Sequence, residues 1–123
     1  MSKLEQLIQQ VRSELGTDFV TTEVVGTDGL SIINSSVIPE EDGVAASARF
    51  AMVMKLASKV SEKLKLGAVI DNLVTTDSVF ILTRNLGDGS YFWGLAVNHE
   101  ATLGTVRVVM NEYADQIWDA IPR

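Results

Sequence analysis

The chain has 123 residues, with 10 Lys and Arg against 16 Asp and Glu, one His and no cysteine. That length suits a single domain, residues 1–123, whose one core buries roughly two-thirds of the unfolded surface without covalent or metal staples. No cysteine means no disulfide, no thiolate metal site and no cysteine nucleophile, and a net charge of -6 with scattered Lys and Arg argues against nucleic acid as a partner.

The opening Met1-Ser2-Lys3-Leu4-Glu5-Gln6 carries no apolar signal segment, and no run approaches the ~18 apolar residues of a membrane span. The expectation is a soluble cytoplasmic protein that does not insert into membranes. Ser2 with Glu5 three residues on is a capping box, and Leu4, Leu7, Ile8, Val11 and Leu15 mark one face of a first helix that ends at Gly16. Asp18 to Val25 reads as a strand, Gly26-Thr27-Asp28-Gly29 as a tight turn, and Leu30 to Asn34 as the returning strand. Ser35 to Asp42 reads as a loop whose acidic end suits the positive N-terminus of the helix that follows.

That second helix, from Gly43 to about Leu66, is apolar on too many sides for a helix on the surface of a monomer. At ~100° per residue, Ala46, Phe50, Val53, Leu56, Ala57, Val60 and Leu64 form one stripe, the expected core-facing seam. Its first half carries a second apolar patch opposite, Val44, Ala48, Ala51 and Met52, which gives way to Lys55, Lys59 and Glu62. Ala and Met suit close or adaptable contact with another surface. The expected interface is therefore Val44, Ala48, Ala51, Met52 and Lys55. The Lys55, Lys59, Lys63, Lys65 series reads as a solvated helix face.

Beyond Gly67, Ala68 to Thr75, Ser78 to Leu86 and Tyr91 to Val97 read as three further strands, and Thr102 to Ile121 as a last helix with Leu103, Val106, Met110, Tyr113, Ile117 and Ile121 on one stripe. Val79-Phe80-Ile81-Leu82 and Tyr91-Phe92-Trp93-Gly94-Leu95 do not alternate apolar with polar, so both faces of their sheet must be covered. The expected architecture is an α/β sandwich in the order α-β-β-α-β-β-β-α. A five-stranded antiparallel sheet would carry the second helix on one face and the first and last on the other.

Nothing in the sequence assembles into a reaction centre. His99 has no second histidine or cysteine to complete a metal site or a triad. The Asp-Gly turns lack the Lys-Ser/Thr ending of a phosphate loop and join strand to strand. Trp93 and Trp118 fit packing roles. No catalytic, cofactor-binding or metal residue is expected, and no cofactor.

Three phrases carry a resemblance: Val24-Val25-Gly26-Thr27-Asp28-Gly29-Leu30-Ser31-Ile32 at the first hairpin, Val44-Ala45-Ala46-Ser47-Ala48 opening the second helix, and Leu103-Gly104-Thr105-Val106-Arg107 opening the last. In their order and spacing they resemble the Roadblock family, which includes Roadblock-type dynein light chains, lysosomal adaptor subunits and bacterial regulators of Ras-like GTPases. The resemblance implies a homodimer or heterodimer in which second helices pack together and third strands pair edge to edge. It also implies that the paired helices form a platform for a Ras-like small GTPase. The expected function is a non-enzymatic dimeric regulator or scaffold; a light-chain-like adaptor with no nucleotide-linked role is the alternative. Arg49 is expected to be a helix-surface residue and not a group that reaches a transferring phosphate.

Overall fold

In the computed structural model the described residues are 1–38 and 40–123, without the side chains of residues 40–48 and 50. Helix α1 spans Lys3–Leu15. The Ser2 hydroxyl oxygen accepts from the Glu5 backbone N–H at 3.1 Å, satisfying a donor that the helix itself cannot. Gly16 ends the helix at a φ of +57°, a left-handed conformation that glycine adopts without Cβ strain. Strands β1 (Phe19–Gly26) and β2 (Ser31–Ser36) form a hairpin, with the Asp28 carboxylate accepting from the Leu30 N–H at 3.0 Å inside the turn.

Helix α2 runs from Glu40 to Lys63, starting before the Gly43 expected from sequence. It is followed by β3 (Asp71–Thr75), β4 (Val79–Leu86), β5 (Tyr91–Asn98) and α3 (Leu103–Ala120). Strand β3 begins at Asp71 and not at Ala68, because the segment before it is tied to β4 in another way. The Asn85 side-chain amide donates to the Val69 carbonyl at 2.9 Å, and the Asn85 backbone N–H donates to the Ile70 carbonyl.

The strands lie in the order β2-β1-β5-β4-β3, every neighbouring pair antiparallel, so β2 and β3 are the two edges. Helices α1 and α3 pack together over one face, and α2 crosses all five strands on the other. The expected sandwich, with its five-stranded antiparallel sheet and its one-plus-two division of helices, is the observed one.

Residue alternation along β5 assigns its side chains to the two layers. Trp93, Leu95 and Val97 join Leu7, Ile8, Val11, Val24, Leu82, Met110 and Ile117 in the core beneath α1 and α3. The buried Trp93 indole N–H donates to Thr22 Oγ1 at 2.8 Å, and that hydroxyl in turn donates to the Gly94 carbonyl at 2.7 Å, so the polar atoms of this layer are paired. On the opposite face, Phe92 packs with Ala51 and Met54 of α2 and with Val69.

Candidate interaction surface on the second helix

Helix α2 is turned the other way from the orientation its apolar pattern suggests. Ala51 is only 3% exposed and packs with Phe92, so it belongs to the inward face and not to a binding patch. Met54 is fully buried beside it, and Ala57, Ser58 and Ser61 are half-buried or partly exposed. Among the described residues, the inward stripe is thus made of small or polar side chains around Met54.

The stripe expected to face the core faces out. Leu56 is 62% exposed, Val60 56% and Leu64 61%, with Val53 beside them; Met52, at 62%, extends this surface toward the middle of the helix. These positions recur at the three- and four-residue spacing of one helical face. The physical reason for the inversion lies in the sheet. Phe92 packs against Ala51 and Met54, so a small residue at 51 lets the helix backbone approach the sheet there, whereas a Leu or Val at that position would overfill the contact. In sequence, Leu66 and Ile70 continue the exposed apolar run to the start of edge strand β3.

Of the five expected interface residues, Met52 and Lys55 are exposed and Ala51 is buried. The side chains of Val44 and Ala48 lie outside the described residues, as do those of Ala46 and Phe50 of the expected seam. The Lys55 ammonium donates to the Thr27 carbonyl, clamping the helix to the β1–β2 turn. Val53, Leu56, Val60 and Leu64 were missed as surface residues; the clue was the excess of large apolar residues over one seam, which left the direction of each stripe open.

The sheet surface facing α2 holds a second feature that sequence reading missed. The strand registers place Asn34, Glu23, Gly94, Thr83 and Asn72 side by side, one from each strand. Glu23 is 6% exposed, and its Oε1 has no hydrogen-bond partner among the described residues. Burial pushes its carboxyl above the usual carboxylate range, with the Ser31 side chain acting in the opposite direction.

The remaining chemistry-bearing side chains have structural occupations. The His99 ring stacks on Phe80 with centroids 4.7 Å apart. Trp118 lies over Gly87, where a Cβ would collide with its ring, and the Arg123 guanidinium sits 3.9 Å above the same indole. Asp88 caps the β4–β5 turn, accepting from the Ser90 N–H at 2.9 Å; the side-chain and backbone hydrogen bonds from Ser90 lower its carboxyl below the ordinary value. Arg49 is exposed. Among the described residues no three His, Asp or Glu side chains cluster as a metal site, and no helix is long and apolar enough to cross a membrane.

Compared with solved structures, the chain superposes on MglB of Myxococcus xanthus with a TM-score of 0.86 at 10% identity, covering 97% of this chain and 94% of that one. A Roadblock/LC7 domain from Streptomyces avermitilis gives a TM-score of 0.81 at 14% identity, covering 91% and 92%. This is a Roadblock/LC7 fold. The gliding protein MglB from Thermus thermophilus matches the same Roadblock arrangement with a TM-score of 0.80 at 10% identity over 98% and 91% of the two chains. No family model matches the sequence, and no curated protein matches it. The Roadblock likeness therefore lives in three dimensions, where the order of elements and the helix layers are preserved while the residues differ.

Proposed function

We propose that this chain is a non-enzymatic dimeric regulator or scaffold that binds a Ras-like small GTPase on a platform made by two α2 helices. The observation that carries this reading is the outward stripe of Met52, Val53, Leu56, Val60 and Leu64, a continuous apolar surface beside an open sheet edge. Large apolar patches of that kind mark protein contact surfaces. Edge strand β3 supports it. Asp71, its one acidic residue, is held by the Arg107 guanidinium through two hydrogen bonds of 3.2 Å, so the edge presents no uncompensated charge against a second strand. The GTPase is the partner that the Roadblock resemblance implies.

Two measurements test this. Light scattering at micromolar concentration should give about twice the chain mass of 13.4 kDa, and Leu56→Asp should give monomer, because two carboxylates would meet in a desolvated seam. A wild-type protein that stays monomeric sinks the dimer. The dimer is then mixed with a candidate GTPase loaded with GDP or with a non-hydrolysable GTP analogue. Nucleotide-dependent binding that is lost in Met52→Asp and kept in Arg49→Ala supports the platform; binding indifferent to nucleotide makes the chain an adaptor. Loss of stimulated hydrolysis with intact binding in Arg49→Ala would show that the chain contributes a catalytic arginine.

A further inference from the structure

The face of the sheet under α2 is crossed from edge to edge by the row Asn34, Glu23, Gly94, Thr83 and Asn72. Such a row is a poor seat for a helix. Covering Glu23 and Thr83 removes polar groups from water for little apolar gain, and the Glu23 Oε1 has no partner among the described residues to offset the loss. Gly94 contributes no side chain, and a Cβ placed there would meet nothing closer among the described residues than the Glu23 carbonyl at 4.0 Å. Apolar contact comes from the flanking rows, from Val25 and Phe92 on one side and from Ala96 on the other. Meanwhile, among the described residues of the same helix, the outer stripe is more apolar than the inner one.

We propose that Glu23 makes the hold of α2 on the sheet conditional, so that the helix is firmly seated only when its outer stripe is covered by a second copy of this chain. The proposal deepens the function given above and rests on its reading of that stripe as a contact surface. Lifting the helix rehydrates the Glu23 carboxyl, which offsets the exposure of Ala51, Met54 and Phe92; covering Leu56, Val60 and Leu64 adds apolar burial that only the seated helix can make. Glu23 acts here as a positioning residue for the platform and touches no partner itself.

The test is hydrogen exchange read by mass spectrometry over Ala51–Lys63, alongside α3 and β5, at several protein concentrations and with sedimentation run on the same samples. In dilute wild-type protein the α2 amides should exchange at least about 100-fold faster than those of β5, because local opening of a weakly held element costs far less than global unfolding. Their exchange should slow as the dimer forms, with α3 and β5 unchanged. Glu23→Leu should slow α2 exchange by about 10-fold at every concentration, since an apolar isostere removes a buried group left without a partner. Thr83→Val makes a second, buried position of the same row apolar with the carboxyl retained and should act in the same direction. If the protein stays monomeric throughout, the concentration effect vanishes and the dimer reading falls, while the slowing in both variants still supports the seat. Exchange of α2 as slow as that of β5 in the dilute wild type overturns the proposal, and so does unchanged α2 exchange in Glu23→Leu and Thr83→Val.

Discussion

The two faces of the sheet are built on different principles although they share the same strands. Beneath α1 and α3, alternate residues of β1, β4 and β5 supply Val24, Leu82, Leu86, Trp93, Leu95 and Val97 to one continuous core, and its polar atoms are paired through Thr22. Beneath α2, the intervening residues of the same strands include Glu23, Thr83 and Gly94. A strand has a period of two, so a single sequence can carry a closed apolar core on one side and a row of polar residues on the other. The first face carries stability. The second is joined to a helix whose large apolar residues point away from the sheet. The difference teaches that a small domain can bury a continuous core under one pair of helices while a third helix keeps large apolar residues exposed.

The largest test of that contrast is on the closed face. Trp93→Ala should cost about 3–5 kcal/mol in denaturant unfolding, since it empties a fully buried site surrounded by side chains that cannot collapse into it. A cost below about 1 kcal/mol would mean that this core tolerates a lost side chain and is not the closed layer its burial indicates. Thr22→Val probes the same face at lower amplitude. It keeps the side-chain shape but leaves the Trp93 indole N–H without its 2.8 Å acceptor, which should cost about 1–3 kcal/mol. If Thr22→Val is neutral in chemical denaturation, the indole N–H has found another partner.

The frame was legible because local signals agreed with the tertiary structure. Ser2 and Gly16 delimit α1, Asp28 and Gly29 close the first hairpin, and the unbroken apolar runs in β4 and β5 required cover on both sides of the sheet. The facing of α2 was not legible. A helical wheel locates stripes but does not say which one faces in, and with Ala51 and Met54 on one side and Leu56, Val60 and Leu64 on the other, the bulkier stripe was the natural but mistaken choice for the core. What decides the matter is Phe92, some forty residues along the chain, which occupies the space under the helix. The polar row was invisible for a related reason. Glu23 and Thr83 are ordinary within their own strands and meet across Gly94 only once the registers of β1, β5 and β4 are known.

Glu23 offers a subtler way to sharpen the contrast. Its carboxyl is raised from the ordinary 4.5 by burial, so the folded chain holds the proton more tightly than the unfolded one. The stability that this protonation contributes is complete below the unfolded value and is lost as pH rises through the raised folded value. Glu23→Gln cannot lose a proton. The stability of the variant relative to wild type should therefore grow as pH rises above about 4.5 and then level off, as read from paired urea titrations across pH. A gap that stays constant with pH would show that the carboxyl is hydrated in the folded chain, and the two faces would then be less different than the registers make them.

The smallest expected effect lies where the closed face meets the edge of the sheet. Arg107 of α3 reaches across to Asp71 of β3 in a pair at 3.2 Å whose side chains are 43% and 24% exposed. An ion pair that open to solvent contributes about 0–1 kcal/mol, so Arg107→Ala should move the unfolding midpoint only slightly, because β3 is held mainly by its ladder to β4 from Asp71 to Thr75. A loss beyond about 2 kcal/mol would mean that α3 and not the ladder secures the edge strand. Its effect on association should be larger than its effect on folding. Removing the guanidinium leaves Asp71 as an unneutralised charge on the open edge, which disfavours pairing with a second, identical edge. Arg107→Ala should therefore shift sedimentation toward monomer while leaving the unfolding transition nearly in place. Asp71→Asn in the same background removes the charge and should restore the dimer. A double variant that remains monomeric would place the pairing surface elsewhere than on β3.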